Sequence, residues 1–102
     1  MPENPALIHP GEILRTEFME PLGLTGYRLA KELAVPSPRI GDLVRGKRAI
    51  SADTALRLGI YFGLPAQFWL NLQNFYDLET SRRSGKVSEI ERQVQPSPAL
   101  AS

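Results

Sequence analysis

Apolar residues recur every three or four positions along most of the chain, which is the spacing of amphipathic helices rather than strands. The clearest case is the stretch 25–48, TGYRLAKELAVPSPRIGDLVRGKR, which predicts two short helices joined by a tight corner. The apolar residues on the inward faces of these helices are Leu29, Ala30, Leu33, Ile40, Leu43 and Val44. Val35 can plug the corner, and Pro36 fixes its own φ where the second helix begins. This pattern is typical of a helix-turn-helix, whose second helix enters the major groove of DNA.

Residues suited to helix ends support these boundaries. Thr25 can cap the first helix of the pair, and Gly46 stands where a left-handed residue would close the second. Further upstream, Pro10 suits the start of another helix, which Pro21 and Gly23 would end.

Two more helices are predicted after the corner motif. Ser51 can cap the first of them, and Gly63 would end it. Pro65 then opens the longest helix, predicted over 66–81. The chain is therefore expected to be all-α, with five helices and no strand-like alternation of any length.

The helices divide the chain into three parts. Residues 1–8 are expected to form a flexible arm, residues 9–81 one domain, and residues 82–102 a C-terminal tail. Apolar residues recur at helical spacing between positions 87 and 94, which fits either a short docked helix or a flexible segment. The end of the tail, 96–102, is expected to be disordered.

Charge is unevenly distributed along the sequence. The stretch 25–48 has six basic residues against two acidic ones, a net charge of +4, whereas the whole chain of 102 residues carries only +1. The rest of the chain is therefore acidic, and the excess of positive charge coincides with the predicted helix pair. A basic outer face can be ordinary solvated surface, but together with the corner it favours contact with nucleic acid.

Composition excludes several other classes of protein. The absence of cysteine rules out disulfides and thiol chemistry, and no apolar run approaches the roughly 20 residues of a membrane helix. The N-terminal sequence has neither a basic segment nor an apolar one, so no signal peptide is indicated and a cytoplasmic protein is expected. With a single histidine, His9, and scattered carboxylates, neither a catalytic constellation nor a metal or cofactor site is predicted. His9 is expected to have a capping or surface role.

The residues expected to contact DNA follow from the helix-turn-helix pattern. Those on the outward side of the second helix are Ser37, Pro38, Arg39, Gly41 and Asp42. Those expected to contact phosphates at the helix end and in the following loop are Arg45, Lys47 and Arg48. From the other flank, Thr25 and Tyr27 could reach the DNA backbone, although Tyr27 could equally pack in the core.

Within this set, Arg39 is the best candidate for reading a base, because arginine pairs bidentately with guanine O6 and N7. Asp42 could accept a hydrogen bond from cytosine, but we favour a role in orienting Arg39. Pro38 offers only an apolar surface, suited to a thymine methyl group.

The longest helix holds four of the eight aromatic residues of the chain, including its one tryptophan, which is more than one small domain needs for its interior. Core packing explains most of this stripe, and the remainder predicts a self-association surface. The residues assigned to that surface are Trp69, Leu72, Phe75 and Tyr76.

From His9 to Glu79 the sequence resembles the HigA-type antitoxins of bacterial toxin–antitoxin modules, within the phage-repressor-like (XRE) helix-turn-helix group. The resemblance is carried by HPGEILRTEFMEPLGLTGYRLAKELAVPSPRI, VRGKRAISADTALRLGIYFG and FWLNLQNFYDLE. It implies a five-helix lambda-repressor-like domain that works as a homodimer. It also implies repression of its own operon through a palindromic double-stranded operator, and neutralisation of a HigB-type mRNA endonuclease. A stand-alone transcriptional regulator without a toxin partner is the alternative.

The sequence departs from this family's usual pattern inside the motif. Thr25-Gly26 replaces a common Ser-Gln, Ala34 occupies a corner position that is commonly glycine, and Gly41-Asp42 replaces Asn-Glu. Gly41 removes a side chain that could touch a base. The DNA-binding role is expected to survive, but the operator sequence cannot be carried over.

Overall fold

A computed structural model describes residues 7–100, and that part of the chain contains helices and no strands. Most of the predicted arm, residues 1–6, and the last two residues of the tail lie outside the described residues. The first helix, α1, begins as Pro10–Ile13 and continues as a π-helix, Leu14–Met19, and a 3-10 helix, Glu20–Leu22. The α-helices that follow are α2 (Gly26–Leu33), α3 (Ser37–Val44), α4 (Ala52–Phe62), α5 (Ala66–Arg83) and α6 (Lys86–Gln93).

The prediction of an all-α fold is confirmed, but residues 7–100 contain six helices instead of five. The sixth, α6, lies in the tail, where the sequence pattern fitted either a helix or a flexible segment. A 3-10 turn, Pro98–Leu100, follows it in a stretch expected to be disordered.

The helix ends of the corner motif follow the local sequence. Thr25 caps α2, since its Oγ1 accepts a hydrogen bond from the Arg28 backbone N–H at 3.0 Å. Ala34 ends α2 with a φ of +57°, a left-handed conformation that costs a non-glycine residue about 1 kcal/mol. Gly46 follows α3 with a φ of +77°, as predicted. The corner therefore has the tight geometry expected of a helix-turn-helix.

The core is centred on Trp69 of α5, whose side chain is 0% exposed. Three aromatic rings surround it, with centroids 4.7 Å away for Phe18, 5.1 Å for Phe68 and 5.8 Å for Phe62. The assignment of Trp69 to a self-association surface is therefore wrong, because its side chain has no exposed area to offer a second copy. Its large apolar surface is used to join α1, α4 and α5 within one chain.

Gly11 places α1 directly against the end of α3. A Cβ at this position would lie only 1.7 Å from the backbone oxygen of Leu43, so no larger residue fits without displacement. Leu43 and Ile40 are themselves fully buried on the inner face of α3. The other face of α3 is consequently turned toward solvent.

Candidate nucleic-acid interface

The outward face of α3 is accessible and polar. Ser37, Pro38 and Arg45 are exposed, and Gly41 and Asp42 are half-buried. Gly41 leaves room for the Arg45 guanidinium, whose nitrogens would lie 3.3 Å from a Cβ added to this glycine. The Arg45 side chain therefore lies along this face of α3, with its guanidinium beside Gly41 and Asp42.

Arg39 lies on the flank of α3 rather than at the centre of its outer face, and its side chain is 28% exposed. Its Nη1 donates a hydrogen bond to Asp53 Oδ2 at 2.6 Å, so the partner comes from the first turn of α4. Asp42 instead accepts from Arg45 Nη2 at 2.9 Å. The expectation that Asp42 orients Arg39 is therefore wrong. Both arginines are three positions from Asp42, but Arg45 donates to Asp42 whereas Arg39 donates to Asp53.

Asp53 also accepts a hydrogen bond at the same oxygen from Arg57 Nε, at 2.9 Å. The hydrogen bonds from Arg57 and then from Arg39 lower the pKa of Asp53 below its ordinary value, so the carboxylate is ionised at neutral pH. Arg57 Nη1 donates in turn to the backbone oxygen of Leu33 at 2.8 Å and lies 3.4 Å from that of Ala34. A chain of contacts thus connects the corner to Arg39.

The loop after α3, residues 45–50, is called here the basic loop, since it carries Arg45, Lys47 and Arg48 on an exposed surface. Its start is held by Lys47 N, which donates to the Asp42 backbone oxygen at 2.8 Å. Its end is held by the buried side chain of Gln73, whose Oε1 accepts from Ile50 N at 2.8 Å. The sequence did not indicate this role of Gln73, because a glutamine in an aromatic helix carries no signal of a partner twenty-three positions away.

We expect Gln73→Leu to lower the free energy of unfolding by about 1–3 kcal/mol, because the Ile50 N–H would remain buried without an acceptor. Gln67→Leu is the matched control on the same helix. Its amide is exposed and bonds only Asn71, so a change within about 0.5 kcal/mol is expected. Urea unfolding of both variants measures the difference, and equal losses would contradict the assigned role.

The remaining candidate residues are distributed over two surfaces. Tyr27 is 69% exposed, which excludes the core-packing alternative, and Thr25 at the start of α2 is also exposed. On α5, Phe75 is 65% exposed, whereas Leu72 and Tyr76 are half-buried. Only Phe75 of the predicted self-association residues therefore presents most of its side chain to solvent.

His9 has the capping role expected of it. Its Nδ1 accepts a hydrogen bond from Gly11 N at 2.9 Å at the start of α1, and its ring packs edge-on to Tyr76 at 4.9 Å. Partial burial lowers the pKa of His9, which a smaller opposing effect of the Asp77 charge partly offsets. The neutral imidazole is the form that can accept this bond.

Within residues 7–100, no three side chains of the His, Cys, Asp and Glu types are grouped to hold a metal ion. In the same part of the chain, no helix combines the length and the apolar character needed to cross a membrane.

Comparisons with known proteins agree with this geometry. No protein-family model matches the sequence. Virulence-associated protein I of Dichelobacter nodosus is 56% identical over 88 residues, which are 86% of this chain and 81% of that protein. Antitoxin HigA-1 of Vibrio cholerae is 36% identical over 86 residues, 84% of this chain and 79% of that protein. The solved structure of Pseudomonas aeruginosa antitoxin HigA with the higBA promoter has a TM-score of 0.83 and 46% identity, covering 89% of this chain and 98% of that one.

Proposed function

The chain belongs to the family of HigA-type helix-turn-helix antitoxins, and we propose that it is an antitoxin that represses its own operon. In this proposal it binds a palindromic operator as a dimer and neutralises a HigB-type mRNA endonuclease. The observation that carries the proposal is the solvent-facing side of α3, continued by the basic loop, on a scaffold like that of a HigA solved with its promoter. The antitoxins and regulators to which the chain is similar support a non-catalytic role. An autorepressor would act in the cytoplasm, where its operon is transcribed.

Pairing follows from the size of the reading surface. One α3 covers only a few base pairs, so a palindrome requires two copies whose reading helices lie about 34 Å apart. An isologous contact between two copies would give that two-fold symmetry. The exposed Phe75, next to half-buried Leu72 and Tyr76, supports α5 as part of the contact.

The test of repression is binding to the duplex that lies upstream of the protein's own gene, here called the promoter duplex, compared with a random duplex of equal length. We expect tighter binding to the promoter duplex at physiological salt, and equal binding would refute sequence-specific repression. Co-expression with the adjacent gene and a growth-rescue assay test the antitoxin role. If no neighbouring gene product binds the protein or slows growth, the alternative of a stand-alone regulator is favoured.

Two alanine variants distinguish a contact with a base from a contact with a phosphate. Arg39→Ala is expected to reduce the preference for the promoter duplex over the random one by about 1–3 kcal/mol, since a base contact is lost. Lys47→Ala should weaken both duplexes alike and lower the salt slope by about one, because a phosphate contact carries no base information. Titrations of each variant on both duplexes at several salt concentrations measure these effects. An equal loss of affinity for the two duplexes in Arg39→Ala would refute the assignment of Arg39 as a base-reading residue.

A further inference from the structure

Asp53, in the first turn of α4, lies between two arginines from different helices. Its Oδ2 accepts from Arg39 Nη1 of α3 at 2.6 Å and from Arg57 Nε of α4 at 2.9 Å. We propose that Asp53 is a positioning residue for operator discrimination, which holds the Arg39 guanidinium in one orientation before DNA arrives. The inference rests on the proposed function and adds to it a residue outside the helix-turn-helix.

The contact leaves Arg39 able to read a base. A guanidinium has five N–H donors, and Asp53 takes one of them. Bidentate pairing with guanine O6 and N7 needs only two. Asp53 therefore restricts the orientation of the Arg39 side chain without using up its hydrogen-bonding capacity.

Arg57 makes a carboxylate acceptable at this position beside a polyanion. Asp53 paired with Arg39 alone would be neutral, whereas the three side chains together carry a net charge of +1. Arg57 is also anchored to the corner, because its Nη1 donates to the backbone oxygen of Leu33 at 2.8 Å. Asp53 is thus held in place by the corner between α2 and α3, through Arg57, and not by α4 alone.

Asp53 is expected to orient the side chain of Arg39 rather than to stabilise the fold. An ion pair as exposed as Asp53 with Arg39 adds little to folding in water. When the protein docks on DNA, water leaves and the same pair becomes stronger. Without Asp53, the flexible Arg39 could bind the nearest phosphate on any sequence, because guanidinium groups also pair strongly with phosphate.

The test is Asp53→Asn, measured on the promoter duplex and on the random duplex. We expect the preference for the promoter duplex to fall about tenfold, within the range of one bidentate base contact. Affinity for the random duplex should stay equal or rise, since a negative charge is removed. Glu32→Gln is the matched control: it makes the same change of charge and frees Arg28, the partner of Glu32 at 2.9 Å, and should leave the preference unchanged.

A double-mutant cycle distinguishes positioning from a general structural effect. In the Arg39→Ala background, Asp53→Asn is expected to cause no further loss of preference, whereas a structural role would give the same loss with or without Arg39. The inference is overturned if Asp53→Asn lowers the preference by the same factor in both backgrounds, or if it does not lower the preference in the otherwise wild-type protein. In either case the proposed function stands. If the unmodified protein does not prefer the promoter duplex, the proposed function fails and this inference fails with it. All binding is measured below the unfolding transition of every variant.

Discussion

Gly11→Ala is expected to lower the free energy of unfolding by about 3 kcal/mol, the upper end of what overpacking usually costs. The added Cβ would lie 1.7 Å from the backbone oxygen of Leu43 and 3.1 Å from the Cα of Val44. Backbone atoms of a packed helix cannot rotate away as a side-chain end can, so α1 and the end of α3 would have to separate. Because the basic loop begins there, the fraction that still folds should also bind DNA more weakly.

Gly26→Ala is the matched control for this prediction. A Cβ at Gly26 meets only the Ile40 side chain, at 3.8 Å, which is an ordinary contact. Alanine also favours helix over glycine, so a gain of up to about 1 kcal/mol is expected. Urea unfolding compares the two variants, and a Gly11→Ala protein as stable as Gly26→Ala would show that α1 does not pack on α3 as described.

Trp69→Ala is expected to cost about 3–5 kcal/mol, the usual range for removing a buried large aromatic side chain. The indole is fully buried, and three aromatic rings pack around it. Its removal would leave a cavity between α1, α4 and α5 within the single chain. The loss should therefore be similar at every protein concentration.

Phe75→Ala on the same helix gives the contrasting result. With 65% of Phe75 exposed, we expect a change within about 0.5 kcal/mol in the stability of the single chain. If α5 pairs two copies, the variant should instead weaken association and reduce the dependence of the unfolding midpoint on protein concentration. Thermal unfolding over a range of concentrations, with sedimentation to measure mass, separates the effects. If the loss of stability depended on protein concentration for Trp69→Ala alone, Trp69 would have to be assigned to the self-association surface after all.

The sequence by itself determined the local features of the fold. The cap at Thr25 and the left-handed glycine that ends α3 were both predicted, because capping and positive φ depend on a few neighbouring residues. Helical periodicity likewise identified Leu29 and Ile40 as core residues, since it reports which face of a helix is apolar. The same reasoning assigned the outward face of α3 to DNA.

Only the tertiary structure decided which side chains meet. Periodicity gives the face of a helix but not the angle at which a second helix crosses it, so the partner of Arg39 could not be read from the sequence. The contact of Gln73 with Ile50 and the burial of Trp69 depend on the same packing of α5 against distant segments. The chain's local chemistry therefore determined the helices and their polar faces, whereas the packing of α4 and α5 decided how Arg39 and the basic loop are held.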